Sequence, residues 1–316
     1  MTGGASRTPS ASSARGCPVD SKVQLWTESS MLWFTEQFGP RPLRRDVVLP
    51  TARFLPPDYS ATQSEIEHLV ASACLQMQVD RQRIELRLFD GSEEKEAARS
   101  GTKRAVGHFH MENGRAIVSL DLAEKADPVL LLAIVVHELC HVRLLAEKRI
   151  TADRKDQERL TDLLTVFFGF GIFSTNAAMR FDRRAGGAWI MPHGDLDDRT
   201  LNAARNEGYN RLGYLASAEF GYALSCYAWL RREPDPGWAR FVNPGPLAAL
   251  RQGLSYLKSG RDPGELPTGR LLNKQIKVGS ATVSIVRDNS ASRGLLGMAL
   301  PQAARDRHPG SPDKQK

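Results

Sequence analysis

Apolar residues recur at the three- and four-residue spacing of an amphipathic helix in several parts of the chain. At Ser64, Glu67 follows at the spacing of a capping box, which predicts the start of a helix. At Asp127-Pro128 a capping residue precedes proline, a second typical helix start. The predicted helices are 27–38, one from Ser64, one from Asp127 that ends within 146–156, 157–171, 212–233 with Ser217 as its cap, and 244–260.

A few shorter segments follow the two-residue period of a strand. Segment 83–89 alternates apolar and charged residues, which is typical of a half-buried strand. Segment 105–122 contains two such runs on either side of Asn113-Gly114, the strongest short-range signal for a hairpin. Weaker strand patterns lie at 44–57 and, as a late hairpin, at 274–288.

The length of 316 residues allows one large domain or two small ones. Apolar residues make up 41% of the chain and charged residues 25%, as in soluble globular proteins. We predict a disordered tail over 1–21, an N-terminal part with sheet and hairpin over 22–126, a helical part of the same domain over 127–260, and a basic, partly disordered extension over 261–316.

From the sequence pattern we expect neither a secretory signal nor a membrane span. The first 20 residues contain no apolar core of a signal peptide, and the longest apolar run, 128–140, is interrupted by His137-Glu138. The four cysteines lie far apart with no CxxC pair, and they are Cys17, Cys74, Cys140 and Cys226. We therefore expect reduced thiols in a cytoplasmic protein that does not enter a membrane.

Positive charge is concentrated towards the C-terminus. From Arg231 onward the chain contains 15 Lys and Arg and 7 Asp and Glu, a net charge of +8. The preceding residues contain 28 Lys and Arg and 29 Asp and Glu. Such a basic third is compatible with a nucleic-acid partner. No nucleic-acid motif accompanies the charge, so a solvated tail is the simpler interpretation.

The main chemical signal is the sequence "VVHELCHVRLL", which contains His137, Glu138 and His141 in the pattern HExxH. On a helix the two histidines point about 40° apart, so that both imidazoles can bind one metal ion. Glu138 lies about 80° to one side, where its carboxylate can take a proton from a zinc-bound water. The alternative is a pair of buried histidines bonded to backbone or carboxylate groups.

The next helix supplies a candidate for the third zinc ligand. Its core stripe is separate from a second face that carries Glu158, Asp162, Thr165 and Gly169. Glu158 would bind the metal, and Asp162, one turn later, would hold the far N–H of a histidine. The alternative for Glu158 is an exposed ion pair with an arginine such as Arg154.

A zinc hydrolase also needs a donor for the developing oxyanion. The sequence offers four candidates without choosing among them, namely Tyr209, Tyr214, Tyr222 and His193. Cys140 lies on the motif helix, but it cannot easily converge on the metal with both histidines, so we interpret it as a small core residue.

The motif His137-Glu138-x-x-His141, followed by Glu158-x-x-x-Asp162, resembles the gluzincin branch of the zincin metallopeptidases. Residues 25–260, loosely at the start and most clearly over 128–172, also look like a family of uncharacterised bacterial zincin-like proteins. This resemblance implies an α+β fold with a small twisted sheet packed on the HExxH helix, followed by a mainly helical C-terminal part. It also implies one Zn²⁺ per chain and Glu138 as the base.

Three functions follow from these observations. The first is a zinc-dependent metallopeptidase that cleaves an amide bond of a peptide or protein. The second is a non-catalytic metal-binding or interaction protein, against which the retained Glu138 argues, because a structural site has no use for a base. The third is a nucleic-acid-binding protein, which depends only on the C-terminal charge. The oligomeric state does not follow from the sequence.

Overall fold

The computed structural model describes residues 16–89, 107–121, 125–178, 215–259 and 262–268. In this part of the chain three helices are followed by three strands and then by five helices, an α+β arrangement. The helices are α1 (Ser21–Phe38), α2 (Arg41–Arg44), α3 (Gln63–Met77), α4 (Pro128–His141), α5 (Gln157–Phe167), α6 (Gly171–Ala178), α7 (Ser217–Leu230) and α8 (Pro244–Lys258). The strands are β1 (Ile84–Phe89), β2 (Gly107–Glu112) and β3 (Arg115–Asp121).

The three strands form one mixed sheet in the order β1-β3-β2. Strand β3 pairs with β1 in parallel and with β2 in antiparallel orientation. The predicted hairpin between β2 and β3 is confirmed, and its two-residue loop has positive φ at both Asn113 (49°) and Gly114 (79°). This is the geometry of a type I′ turn, which fixes the register of β2 against β3.

Helix α4 lies at the centre of the fold and packs against β2, β3 and three other helices. The predicted start is confirmed, since the Asp127 carboxylate accepts hydrogen bonds from the backbone N–H groups of Val129 and Leu130. A π-helical turn, Val142–Ala146, continues α4 beyond His141. π-Helical turns of this kind are frequent at functional sites.

The helical stretch Pro128–Ala146 has the length and apolar composition of a membrane span. His137-Glu138 interrupt the run of apolar residues, and the helix continues through the pair, as predicted. Most of the stretch is buried inside the protein. A buried central helix of a globular fold has the same length and composition, so this feature alone is weak support for a membrane protein.

Helix α5 packs its predicted apolar stripe into the core, where all five side chains are almost fully buried, namely Leu160, Leu163, Leu164, Phe167 and Phe168. The chain turns after α5 at Gly169, whose φ of 89° is in the region that favours glycine. The separate polar face of α5, which the sequence pattern indicated, contacts the histidines of α4.

Several local predictions need correction. Segment 44–57 forms no strand; Val48 instead donates its backbone N–H to the carbonyl of Gly169, which joins this segment to the turn after α5. The capping box of α3 is formed by Thr62 and Glu65 rather than by Ser64 and Glu67.

The predicted start of α7 was also wrong by one residue. Ala216 is the capping residue instead of Ser217, and its backbone N–H donates to the carboxylate of Glu219. The Glu219 carboxylate thus accepts the N–H of the capping residue, which is the half of a capping box that needs no hydroxyl.

At both ends, residues that were predicted to lie outside the folded domain pack on it or belong to its helices. Helix α1 begins at Ser21, inside the predicted tail, and the carbonyl of Gly16 accepts a hydrogen bond from Gln252. Residues 262–268 pack on the core, where Leu266 is buried, although 261–316 was predicted as an extension. The predicted hairpin at 274–288 lies outside the described residues.

Candidate metal centre

Helix α4 carries both histidines of the motif on one face, at the sheet side of the core. The ring centroids of His137 and His141 are 5.0 Å apart, and the rings are nearly perpendicular. His141 is buried, whereas the His137 side chain is 19% exposed. The pair therefore lies where the apolar helix opens towards solvent, and an ion could reach it from outside.

Helix α5 brings Glu158 to both histidines. The Oε2 atom of Glu158 is 3.2 Å from Nε2 of His137 and 3.5 Å from Nε2 of His141. The three side chains offer ligand atoms that all lie within 4.8 Å of one another, so the group could hold a metal ion. The structure thus brings together the three ligands that the sequence predicted.

Two of the three separations between these atoms are close to what a tetrahedral ion requires. Zinc binds histidine nitrogen and carboxylate oxygen at about 2.0–2.2 Å, which places neighbouring ligand atoms of a tetrahedral site about 3.3–3.5 Å apart. The two measured nitrogen–oxygen distances, 3.2 and 3.5 Å, are close to this separation. Two histidines and one glutamate are also a donor set of catalytic zinc sites, which leave a position open for water.

Asp162 supports His137 from behind. Its Oδ1 atom is 3.0 Å from Nδ1 of His137, and its Oδ2 atom accepts the backbone N–H of Leu215 at 3.1 Å. The hydroxyl of Thr165 donates to the backbone carbonyl of Asp162. Because both carboxylate oxygens are engaged, the ring of His137 is held with Nε2 directed at Glu158.

His141 is held in a different way. Its Nδ1 atom is buried and has no hydrogen-bond partner among the described residues. The ring of Phe109, on strand β2, stacks on the His141 ring with centroids 5.9 Å apart and an angle of 16° between the planes. Phe109 was not among the predicted site residues, although the alternation along β2 places it on the face of the sheet that packs on α4.

Glu138 lies beside the ligand group without belonging to it. Its side chain is buried, with 6% of the residue exposed, and its carboxylate makes no hydrogen bond within the described part of the chain. Burial raises the pKa of this carboxyl above its ordinary value, although the neighbouring charges of His137 and His141 oppose the rise. A carboxylate with these properties is a stronger base than an exposed glutamate.

Strand β2 leaves room for the Glu138 carboxylate only because residue 107 is glycine. A Cβ atom at Gly107 would lie 2.8 Å from Oε1 of Glu138 and 2.7 Å from Cγ2 of Ile134. Both distances are too short for ordinary contacts. The edge strand therefore contacts the base closely through its backbone.

The electrostatics of the group favour a bound cation. Burial opposes a charge on His137, but its hydrogen bonds to Asp162 and Glu158 outweigh burial and raise its pKa to about 10. Burial likewise opposes a charge on Glu158, but its contacts with His137 and His141 lower its pKa to about 2. Three carboxylates, including Glu138, surround two imidazoles, so added positive charge stabilises the group.

The loop before Glu158 is joined to α1 by a hydrogen bond between side chains. The indole N–H of Trp26 donates to the Asp156 carboxylate at 2.8 Å, and Arg154 forms an ion pair with the same carboxylate at 2.6 Å. Arg154 is therefore the partner of Asp156, while Glu158 contacts the histidines. This geometry disfavours the alternative in which Glu158 only forms a surface ion pair with Arg154.

Tyr222, the predicted oxyanion donor that lies among the described residues, does not join the centre. The hydroxyl of Tyr222 donates to the buried carboxylate of Glu28 at 2.5 Å, so this proton is engaged elsewhere. Cys140 is fully buried in the core, in agreement with its prediction as a small core residue. The other three candidates, Tyr209, Tyr214 and His193, lie outside the described residues.

Comparison of the chain with protein-family models, with curated proteins and with solved structures finds no match. The function of the protein is therefore inferred from the geometry of the candidate metal centre.

Proposed function

We propose that the chain is a zinc-dependent hydrolase, most directly a metallopeptidase, in which Glu138 is the general base. His137, His141 and Glu158 would hold the ion, and Asp162 would hold His137 in position. Bound zinc would supply a Lewis acid that lowers the pKa of water towards neutrality.

The observation that carries the proposal is the position of Glu138. This carboxylate is buried beside the three candidate ligands, yet it makes no hydrogen bond in the described region and is not one of the three. An unpaired buried carboxylate costs stability, and a structural metal site has no use for it. A hydrolase uses it to take a proton from the attacking water and to deliver it to the leaving amine.

The choice of zinc follows from the donor atoms. Two imidazole nitrogens and one carboxylate oxygen suit a borderline ion and make a poor site for magnesium or calcium, which prefer oxygen ligands only. The choice of a peptide amide as the bond cleaved depends on the resemblance of the motif to the gluzincins, and so does the expectation of a zincin-like fold. The cytoplasmic location, like a nucleic-acid partner for the basic C-terminal third, remains a prediction from the sequence.

The alternative function is a non-catalytic metal-binding protein, and Glu138→Gln separates the two. The amide is nearly isosteric with the carboxylate but cannot take the proton. We expect the variant to keep about one zinc per chain and to lose at least about 100-fold in the cleavage rate of quenched fluorogenic peptides. A zinc-loaded parent protein that cleaves no member of a broad peptide library, or a variant with the parent's rate, would contradict the proposal.

A further inference from the structure

The two candidate zinc ligands on α4 differ in what holds their rings in place. His137 forms a 3.0 Å contact through Nδ1 with the Asp162 carboxylate, whose other oxygen binds the N–H of Leu215. Within the part of the chain that the structure describes, His141 has no such partner, because its buried Nδ1 makes no hydrogen bond there. A histidine that binds metal through Nε2 usually donates its other N–H to an oxygen acceptor. Another contact must therefore restrain His141.

The edge strand β2 supplies that contact. Phe109 stacks on the His141 ring at a centroid distance of 5.9 Å and an angle of 16°, within the range of offset-stacked aromatic pairs. Phe109 is half-buried and packs against the main core. Its ring therefore has support on one side and the imidazole on the other.

The position of Phe109 is fixed by the sheet. Phe109 pairs with Val118 of β3, which is fully buried, and the tight turn at Asn113-Gly114 sets the register of this pairing. Gly107, two residues earlier and on the same face of the strand, contacts Glu138. One strand thus contacts both the second histidine and the base of the centre.

We infer that Phe109 is a positioning residue for the metal ligand His141, and that its ring contact takes the place of the hydrogen bond that Nδ1 lacks. The inference rests on the proposed metal centre. A flat ring parallel to the imidazole restricts rotation about the Cβ–Cγ bond, and this rotation determines whether Nε2 faces Glu158. Loss of the ring would leave His141 on the helix but would broaden its orientation.

The test compares Phe109→Leu with Phe109→Tyr and the parent protein. Leucine keeps an apolar side chain without a flat ring, while tyrosine keeps the ring. The matched control is Phe54→Leu, because Phe54 is also half-buried and contacts other aromatic rings, with its centroid 5.9 Å from that of Phe170 and 6.4 Å from that of Phe173. The readouts are Zn²⁺ affinity by competition with a chromophoric chelator and the visible absorption spectrum of the Co²⁺-loaded proteins.

We expect Phe109→Leu to bind Zn²⁺ about 3- to 10-fold more weakly than the parent and to change the Co²⁺ spectrum. Phe109→Tyr should restore both, and Phe54→Leu should leave both unchanged even if it lowers the unfolding temperature. Equal affinities and spectra for Phe109→Leu and the parent would overturn the inference and leave the metal centre intact. A parent protein that binds neither ion would overturn the proposed function and this inference together.

Discussion

The buried carboxylate of Glu28 and the carboxylates on α4 and α5 differ in how their negative charge is compensated. Glu28 of α1 is fully buried and accepts four hydrogen bonds, which come from Gln24 (2.9 Å), the hydroxyl of Tyr222 (2.5 Å) and both the backbone N–H (2.8 Å) and the hydroxyl (2.6 Å) of Thr268. Neutral donors from three separate segments thus satisfy a single carboxylate.

In the group on α4 and α5, the carboxylates outnumber the side chains that can compensate their charge. Three carboxylates, those of Glu138, Glu158 and Asp162, surround two imidazoles. Asp162 is the best satisfied of the three, whereas Glu138 has no hydrogen bond within the described residues and Glu158 is 36% exposed. The first group joins distant segments and is complete; the second has an excess of acid that a divalent cation would compensate.

The difference explains why burial of acidic residues is a poor indicator of a functional site by itself. Both groups contain a buried carboxylate, and only the number of donors around it separates the structural case from the candidate site. Counting donors against acceptors is therefore more informative than burial.

The largest effect is expected at the structural group. Glu28→Ala removes one acceptor from four donors and leaves the hydroxyls of Tyr222 and Thr268 unpaired in the core, so we expect a loss of about 3 kcal/mol or more in the free energy of unfolding by urea. The Zn²⁺ content should stay at the parent level. The control is Glu36→Ala on the exposed side of the same helix, with a change within about 0.5 kcal/mol. Loss of zinc in Glu28→Ala under folding conditions would show that the two groups are not independent.

A smaller effect is expected from Asp162→Asn in the metal group. The amide keeps the size of the side chain but weakens the support of His137, so Zn²⁺ affinity should fall by about 10- to 100-fold, or about 1.4–2.7 kcal/mol. Glu28→Gln is the matched change in the other group and should leave the affinity unchanged. An Asp162→Asn protein that binds Zn²⁺ as tightly as the parent would show that Asp162 has no role in the centre.

The smallest effect concerns pH. Without metal, the raised pKa of His137, about 10, contributes stability that is fully present below about pH 6.5 and is lost as the pH rises towards 10. The lowered pKa of Glu158, about 2, contributes stability that is constant above about pH 4.5.

Bound Zn²⁺ replaces the proton on His137, so the zinc-loaded protein should not lose this stability. We therefore expect the difference in unfolding temperature between zinc-loaded and chelated protein to increase by about 2–4 °C between pH 6 and about pH 7.3, the shift that about 1 kcal/mol produces in a domain of this size. Scanning calorimetry measures it. A difference that is constant or decreases over this range would argue against proton displacement from His137.

The sequence predicted those parts of the centre that depend on spacing within a helix. His137 and His141 share a face because four residues make about one helical turn, and Glu158 and Asp162 share a face of α5 for the same reason. The register of the hairpin also followed from two residues, Asn113 and Gly114, because few residues adopt positive φ.

The remaining parts depend on contacts between distant segments, which no local pattern contains. Phe109 reaches His141 from another element, the N–H of Leu215 reaches Asp162 across 53 positions, and Glu28 binds Thr268 across 240. The strand prediction for segment 44–57 was wrong for a related reason. The backbone N–H of Val48 donates to the carbonyl of Gly169 and not to a neighbouring strand. Tertiary partners decide such positions.

The most direct test of the central claim is the Zn²⁺ content of the purified protein, measured by inductively coupled plasma mass spectrometry for the parent and for Glu158→Gln, with Glu28→Gln as the control. We expect about one zinc per chain in the parent and the control, and a large loss in Glu158→Gln, because the excess of acid at the α4–α5 group holds the ion. A parent protein that retains no zinc after incubation with the metal and removal of the excess would contradict the account.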